Sequence, residues 1–230
     1  MALICETCIA RASDLCGAFA GGEIAVLDAI AVRLRVEAGG YLFHEEASAD
    51  FVYNISSGMG LLERLASDGR RQIMSFTQPG DFIGLSPTPV YRISAQALTE
   101  MTACRWRIGD LEALFGEHPE LERRLRLIAN RVLATTLDQV FVLGRRNANE
   151  KLAYLLLYLA ERQARIFGPS DEVWLPMTRG DIADYLGVTV ETASRTFGVL
   201  RRKGLIALPA ADRVVLADRA SLAELADRES

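Results

Sequence analysis

The feature that most constrains the fold is a change of hydrophobic period near Asp110. Between residues 24 and 108, short segments alternate apolar and polar residues, as in AVRLRV, YLF, FVYNI, RQIMSF and RISAQAL. Alternation with a period of two is typical of strands buried on one face, and the Asp-Gly step of SDGR at 67–70 suits a tight hairpin. Beyond Asp110 the apolar residues recur every three or four positions, which predicts helices. We therefore expect a compact antiparallel β-barrel or jelly roll followed by helices.

The first helical segment carries two apolar stripes. One is a seam whose spacings alternate between four and three, as in a coiled coil, and we predict that it is a homodimer interface. The seam consists of Leu121, Leu125, Ile128, Val132, Thr135, Gln139 and Val142. The second stripe consists of Leu133, Leu137, Val140 and Phe141. One stripe can pack on the helix's own domain while the other meets a partner, and a helix buried on both sides within a monomer is the alternative.

The most specific stretch is MTRGDIADYLGVTVETASRTFGVLRRKGLIAL at 177–208. Thr178 can cap a first helix, Gly187 permits a turn, and Thr189 can cap a second helix. Two short helices joined by a glycine turn are typical of a helix-turn-helix. The alternative is an ordinary helical hairpin with a solvated polar face.

The second helix of this stretch offers a polar face near its N-terminus. Glu191, Ser194 and Arg195 share that face through spacings of three and four, and this is the end that such a helix presents to the major groove. A basic run follows the helix where phosphates would pass. The candidate DNA-contacting residues are Thr178, Arg179, Thr189, Val190, Glu191, Ser194, Arg195, Arg201, Arg202 and Lys203.

Three of the four cysteines, Cys5, Cys8 and Cys16, lie within the first 16 residues. The whole chain is half hydrophobic, has a net charge of −4, and shows neither an export signal nor an uncharged apolar stretch of about 20 residues, so we expect a folded cytoplasmic protein. Disulfides are rare in the cytoplasm, and closely spaced cysteines there favour metal or redox chemistry. Incidental cysteines and a zinc site are the alternatives.

Residues 177–206 closely resemble the DNA-binding motif of the CRP/FNR family of bacterial regulators, in its FNR branch. The stretch at 143–163 resembles the end of that family's dimerisation helix and its hinge, and PGDFIG and SAQAL resemble its sensory β-roll. The resemblance covers nearly the whole chain. It implies an α+β fold with a cyclic-nucleotide-binding-like β-roll, a long dimerisation helix and a C-terminal winged helix-turn-helix. The implied bounds are 1–20 for the cysteine segment, 21–115 for the β-roll, 116–146 for the helix and 147–230 for the DNA-binding domain.

The resemblance also implies an oxygen-labile [4Fe–4S] cluster. In the FNR branch three N-terminal cysteines and a fourth from the β-roll hold it, which here are Cys5, Cys8, Cys16 and Cys104. Four thiolates are what such a cluster requires, and ligands on both a terminal segment and a strand would let cluster loss release that segment. The spacing C-x2-C-x7-C departs from the five-residue second gap of the best-known members.

A cyclic nucleotide is the rival sensory ligand of such a β-roll. The CRP branch uses a glutamate for the ribose and an arginine for the cyclic phosphate, but this chain has Leu85 and Ile93 at those positions. Arg92 is displaced by one residue, which on a strand directs it to the opposite face. We therefore expect no cyclic nucleotide.

The resemblance implies a homodimer that reads an inverted repeat of the form TTGAT, four bases and ATCAA. Glu191, Ser194 and Arg195 match the residues that read it, and Val190 occupies the place of a guanine-reading arginine in the CRP branch. RNA polymerase is the expected second partner, and no enzymatic motif is present. The alternative is a family member without a cluster that is constitutive or regulated by a thiol or another ligand.

Overall fold

The computed structural model describes residues 8–12, 16 and 23–227. The predicted ligand Cys5 lies outside these residues. The chain divides into two compact units, Met1–Leu133 and Ala134–Ser230, and the boundary falls within a long helix.

The first unit contains two four-stranded antiparallel sheets, with strand orders β1-β8-β3-β6 and β2-β7-β4-β5. Its strands are β1 (Val32–Val36), β2 (Tyr41–Phe43), β3 (Phe51–Ser57), β4 (Gly60–Leu65), β5 (Arg71–Thr77), β6 (Phe82–Ile83), β7 (Ser94–Ala97) and β8 (Met101–Arg107). A 3₁₀ turn at Ile9–Ala12 and helix α1 (Glu23–Ala29) precede them, and α2 (Ile108–Ala113) and α3 (Pro119–Arg145) follow. This is the predicted β-roll, and SDGR at 67–70 forms its expected hairpin turn, with Gly69 at a φ of 83°.

The two faces of strand β8 contact different cores. Met101 and Ala103 point into an aromatic cluster between the two sheets, together with Phe43, Tyr53 and Tyr91. Cys104 and Trp106, which alternate with them, lie on the outer face of the sheet beneath α1 and the first turns of α3. Because helices cover this outer face, Cys104 lies at a packed surface and not at an exposed edge.

The second unit is a winged helix. It consists of the end of α3, helix α4 (Ala148–Phe167), β9 (Glu172–Trp174), α5 (Arg179–Leu186), α6 (Val190–Arg202), β10 (Ile206–Ala210), β11 (Arg213–Leu216) and α7 (Arg219–Asp227). The strands form a three-stranded antiparallel sheet in the order β10-β11-β9. Helix α4 begins with a capping box between Asn147 and Glu150 and packs against α6 and α7.

One element differs from the alternating pattern expected from residue 24 onwards. Residues Glu23–Ala29 form helix α1, because Ile24 and Leu27, three positions apart, bury one side of the segment against the outer face of the first sheet. The carbonyl oxygen of Leu27 accepts a 2.9 Å hydrogen bond from Nε1 of Trp106. A long-range contact therefore selects the helix.

Most residues of the α3 seam that was predicted to form the dimer interface are buried or half-buried. Leu121 and Ile128 of the predicted seam are 1% and 6% exposed and belong to the core of the first unit, with Leu125 packed against them. Leu121 and Ile128 hold the helix to its own β-roll, so these two are corrected from interface to core, whereas Leu125 is only half-buried and its interface role stays a prediction. Val142 is buried as well, and Thr135 and Gln139 are half-buried, which leaves Val132 as the exposed apolar member of the seam.

The second stripe of α3 is the exposed one. Leu133, Leu137, Val140 and Phe141 are each more than half exposed. By length and composition α3 is also long and apolar enough to cross a membrane, although it is not the uncharged stretch that the sequence was expected to lack. Arg131 and Asp138 lie within it, and charged side chains inside a bilayer are costly, so the apolar stripe suits contact with protein.

Candidate DNA-reading surface and cysteine site

Two threonine caps set the geometry of the helix-turn-helix. Oγ1 of Thr178 accepts a 3.0 Å hydrogen bond from the backbone N–H of Asp181, and the Thr178 N–H donates to Oδ2 of Asp181 at 2.8 Å, which completes a capping box at the start of α5. Gly187 ends α5 in the left-handed region with a φ of 64°. Thr189 then caps α6 by accepting a 3.2 Å hydrogen bond from the N–H of Thr192. The predicted caps and turn are confirmed.

Helix α6 turns one face inward and one outward. Ala193, Phe197 and Leu200 are buried, as predicted for the packing side of the second helix. The four proposed reading residues, Val190, Glu191, Ser194 and Arg195, are all exposed. They therefore form one accessible surface at the N-terminal end of the helix, where base edges would be reached.

Local hydrogen bonds hold Glu191 in its charged form. Its own backbone N–H and the Thr189 hydroxyl lower the pKa of the Glu191 carboxyl. A carboxylate can accept a hydrogen bond from the amino group of cytosine. One turn along, Arg195 stands with Nη2 3.5 Å from Oγ1 of Thr192. The outer face of α6 thus carries one hydrogen-bond acceptor, Glu191, and one side chain with several donors, Arg195.

The basic candidates fall into two groups. Arg201, Arg202 and Lys203 are exposed at the end of α6, where a phosphate could approach. Arg179 is different, because its guanidinium lies 3.5 Å from the centre of the Phe197 ring, and its burial lowers the pKa of the group. Arg179 therefore packs α5 against α6, and any phosphate contact would come in addition to this role.

The cysteine site lies on the outer face of the first sheet. Asn54 on β3 is directly opposite Cys104 on β8 in the strand register, and Nδ2 of Asn54 lies 3.1 Å from Sγ of Cys16. Cys16 is buried in the core that includes Trp106 and Leu121. The 3₁₀ turn that follows Cys8 lies against β3. Two segments far apart in sequence thus bring their cysteines to one patch of the sheet.

Charged neighbours surround Cys104. Burial raises the pKa of the Cys104 thiol, the Arg33 guanidinium opposes this effect, and Cys8 and Asp28 add to it. Arg33 is the direct partner of Cys104 across β1 and β8 and forms a 2.6 Å ion pair with Asp28.

The described part of the chain does not by itself complete a metal site. Within residues 8–12, 16 and 23–227, no three Cys, His, Asp or Glu side chains group closely enough to hold a metal ion. The three cysteines that are described, Cys8, Cys16 and Cys104, are not in disulfides. The fourth predicted ligand, Cys5, falls outside the described residues. The four-ligand assignment therefore stays a prediction.

The interior of the β-roll is occupied by aromatic side chains. The ring centres of Phe43 and Tyr91 are 4.0 Å apart, and those of Phe43 and Tyr53 are 5.4 Å apart. Ile93 packs against this cluster, whereas Arg92 is exposed; both precede β7, so the exposure of Arg92 does not follow from strand alternation as predicted. The side chain at the position of a phosphate-binding arginine is thus apolar and part of the core.

Sequence reasoning did not single out three residues that matter at these sites. Asn54 and Arg33 become neighbours of Cys104 only through the strand register, which no local spacing reveals. Lys151 is a buried lysine whose partner is a carbonyl on a different helix. A polar residue inside an otherwise apolar segment was the available signal for Asn54 and Lys151, whereas Arg33 lies on an alternating strand and gave no such signal.

Comparisons with known proteins agree with this architecture. A family model described as a cyclic nucleotide-binding domain matches residues 33–118, and one described as a Crp-like helix-turn-helix domain matches residues 150–225. The chain is 40% identical to the nitrogen fixation regulation protein FixK of Bradyrhizobium diazoefficiens over 204 residues, which covers 89% of this chain and 86% of that protein. It is 32% identical to the transcriptional activator protein FnrL of Cereibacter sphaeroides, with 98% and 93% covered.

A solved structure gives the same result. The structure of FixK2 from Bradyrhizobium japonicum superimposes with a TM-score of 0.81 at 31% identity and covers 87% of this chain and all of that one. The relatives are regulators of transcription and not enzymes, as predicted for this chain. A β-roll, a long helix and a winged helix-turn-helix in this order, together with relatives of this identity and coverage, show that the chain is a DNA-binding transcription regulator of the CRP/FNR family.

Proposed function

We propose that the protein is an FNR-type regulator that responds to oxygen through a [4Fe–4S] cluster and binds DNA as a homodimer. The observation that carries the sensory part is that Asn54 contacts Cys16 and is the direct cross-strand partner of Cys104. Cys5 is the fourth ligand in this proposal. The site of action is the cytoplasm.

The donor set suits such a cluster. Iron–sulfur clusters are held by cysteine thiolates, and their potentials respond to hydrogen bonds to sulfur and to solvent exposure. Cys16 is buried, Cys104 is half-buried, and a guanidinium stands beside Cys104 to offset negative charge. When bound there, a [4Fe–4S] cluster would supply an oxygen-sensitive redox group.

The chain's own residues explain why such a site can act as a switch. Cys8 and Cys16 belong to the segment before β1, whereas Cys104 belongs to a central strand of the sheet. Ligands from both elements tie that segment to the outer face of the sheet. A shared group would add to the packing contacts that already hold this segment, so a change at that group would alter how firmly the segment is held.

The dimer is proposed to form through the exposed stripe of α3. Leu133, Leu137, Val140 and Phe141 recur at spacings of four, three and one, which places them on one side of the helix. Exposed apolar patches of this kind mark contact sites with protein. A second copy offers the same stripe, so a symmetric pair would bury both.

The proposed DNA target is TTGAT, four bases and ATCAA. Arg195 can donate two hydrogen bonds to guanine, Glu191 can accept from cytosine, and Ser194 is short enough to lie against thymine. Val190 offers only apolar contact. A symmetric dimer requires an inverted repeat with half-site centres about one helical turn apart. RNA polymerase is the proposed second partner, since FnrL is named as an activator.

Anaerobic purification tests the sensory proposal. The expected result is a coloured protein with near-stoichiometric iron and sulfide, whose visible absorbance and DNA affinity both fall in air. Replacement of Cys104 by serine should abolish the absorbance, and full iron content in that variant would contradict the ligand assignment. A colourless protein that binds the same DNA with and without air would favour the cluster-free alternative, and zinc in place of iron would favour a structural Cys₄ site.

Selection from a random DNA pool tests the target. Enrichment of TTGAT half-sites is expected with the anaerobic protein. Enrichment of TGTGA half-sites would contradict the assignment of Val190 and of the branch.

A further inference from the structure

We infer that Asn54 is the residue that positions Cys16 beside Cys104. Only the effect of Asn54 on a bound cluster rests on the proposed function, because the contact between Asn54 and Cys16 is itself present in the structure. Asn54 is 1% exposed and lies on β3, a strand paired on both sides within its sheet. A fully buried amide is costly unless it is hydrogen-bonded, so its partners explain why it is there.

The first partner of the amide is a cysteine far away in sequence. Nδ2 of Asn54 lies 3.1 Å from Sγ of Cys16, 38 positions earlier. Directly across the strand pair, Asn54 faces Cys104, and opposite residues of neighbouring strands project from the same face of the sheet. A single side chain therefore contacts one cysteine and stands beside another.

The other partners are backbone carbonyls of the turn between β5 and β6. With Nδ2 directed at Cys16, the amide oxygen faces the carbonyl oxygens of Gly80 and Asp81. Turned over, Nδ2 lies 3.2 Å from the Gly80 oxygen and 3.1 Å from the Asp81 oxygen, and the amide oxygen faces Sγ. A thiol can donate as well as accept, so a polar atom of Asn54 meets Cys16 in either orientation.

A metal-bound sulfur has no proton and can only accept a hydrogen bond. Nδ2 would then have to face Cys16, which sets the amide oxygen against the carbonyl oxygens of Gly80 and Asp81. Hydrogen bonds to ligand sulfurs influence cluster potentials, and partners beyond the ligands influence metal retention. Asn54 is thus a positioning residue that acts through Cys16.

The test uses two substitutions and a matched control. Asn54→Leu keeps approximate size but removes the polar atoms, and Asn54→Asp keeps the shape but replaces the donor by an oxygen. Ser56→Ala is the control, because Ser56 lies on the same strand and loses only a 2.9 Å hydrogen bond to Thr102. Circular dichroism checks that each variant folds; if Asn54→Leu does not, Asn54→Ser takes its place.

The first measurement uses the metal-free, reduced protein. A short pulse of N-ethylmaleimide is followed by peptide mass spectrometry, with the half-exposed Cys8 as the internal reference. We expect Asn54→Leu to raise the modification rate of Cys16, measured relative to that of Cys8, roughly tenfold over the wild-type value, because the contact that orders Cys16 is lost. Ser56→Ala should leave this relative rate unchanged. An unchanged Cys16 rate in both Asn54 variants would overturn the inference.

The second measurement uses protein reconstituted anaerobically with ferrous iron and sulfide. Visible absorbance should decay in air roughly tenfold faster in the Asn54 variants than in the wild type or Ser56→Ala. Equal decay rates would overturn the role of Asn54 toward the cluster. If the wild type takes up no iron, the proposed sensory function fails, while the labelling experiment still decides whether Asn54 positions Cys16.

Discussion

The Nζ atom of Lys151 on α4 donates a 3.1 Å hydrogen bond to the carbonyl oxygen of Leu186, the last residue of α5. The last carbonyls of a helix lack partners within it, and the negative end of the helix dipole favours a cation. Lys151 is buried, so this contact ties α4 to the turn that precedes the recognition helix α6.

The pH dependence of stability should reveal this lysine. Burial lowers the pKa of Lys151 in the folded protein below its ordinary value of 10.5. In the pH range between the lowered pKa and the ordinary one, the unfolded chain therefore binds more protons than the folded one. The free energy of unfolding therefore rises with pH across this range. In urea unfolding from neutral pH towards 10.5, the wild type should gain stability relative to Lys151→Met. A difference that stays constant with pH would contradict the assignment.

Substitutions of two arginines on α6 should distinguish contact with DNA bases from contact with the DNA phosphate backbone. Arg195→Ala should cost roughly 1–3 kcal/mol on a TTGAT site and relax the preference for guanine, because a bidentate donor is lost. Arg201→Ala should weaken all sequences alike and flatten the salt dependence of binding. Titrations on specific and scrambled duplexes at several salt concentrations measure both. A loss confined to the specific site in Arg201→Ala would show that Arg201 reads bases.

Val190 should leave an additional guanine unread, because its side chain cannot form hydrogen bonds. It is 47% exposed at the first turn of α6 and has no hydrogen-bonding group in its side chain. Val190→Arg should introduce a preference for an additional guanine in a random-pool selection, whereas Val190→Ala should keep the original half-site. An unchanged consensus in Val190→Arg would mean that this position does not reach the base edges.

The exposed stripe of α3 should control self-association. Leu137 is 61% exposed on that stripe, and Leu65, at the end of β4, is 59% exposed elsewhere. Leu137→Glu should shift the protein to monomer by placing a charge in the proposed contact, whereas Leu65→Glu should not. Sedimentation velocity at several concentrations measures both. Dimer formation by Leu137→Glu would exclude this stripe as the interface.

The cap of α5 should be measurable by itself. Thr178→Ala removes the side-chain acceptor for the N–H of Asp181 and leaves a buried carboxylate with one partner fewer. The expected loss is about 1 kcal/mol of unfolding free energy, and up to about 2. Thr178→Ser keeps the hydroxyl and should retain most of the stability. Equal losses in the two variants would assign the effect to the threonine methyl group.

Local patterns in the sequence determined most of the architecture. The alternating segments became strands, and the period change near Asp110 marked the start of the helical part. The helix-turn-helix was predictable residue by residue, because Thr178, Gly187 and Thr189 act on neighbours within a few positions. Caps and glycine turns depend on such short-range hydrogen bonds and backbone angles, and these are visible in sequence.

The sequence did not show which of the two apolar stripes of α3 would be buried. Both stripes of α3 had suitable spacing, and the β-roll and α1 decided that Leu121 and Ile128 would be buried while Leu137 stayed exposed. The same surface turned Glu23–Ala29 into a helix. Burial of this kind depends on the shape of distant elements, whereas a spacing shows only that a residue is able to be buried.

The sequence by itself determined which chemistry the chain carries: cysteines at the N-terminus and on β8, and a polar face at the start of α6. Only the tertiary structure decided which of these groups are neighbours. Strand register sets Arg33 and Asn54 on either side of Cys104, and the packing of the N-terminal segment brings Cys16 to Asn54. The physical reason is that contacts across a sheet join residues tens of positions apart, so they depend on the register of the whole fold and on no local spacing.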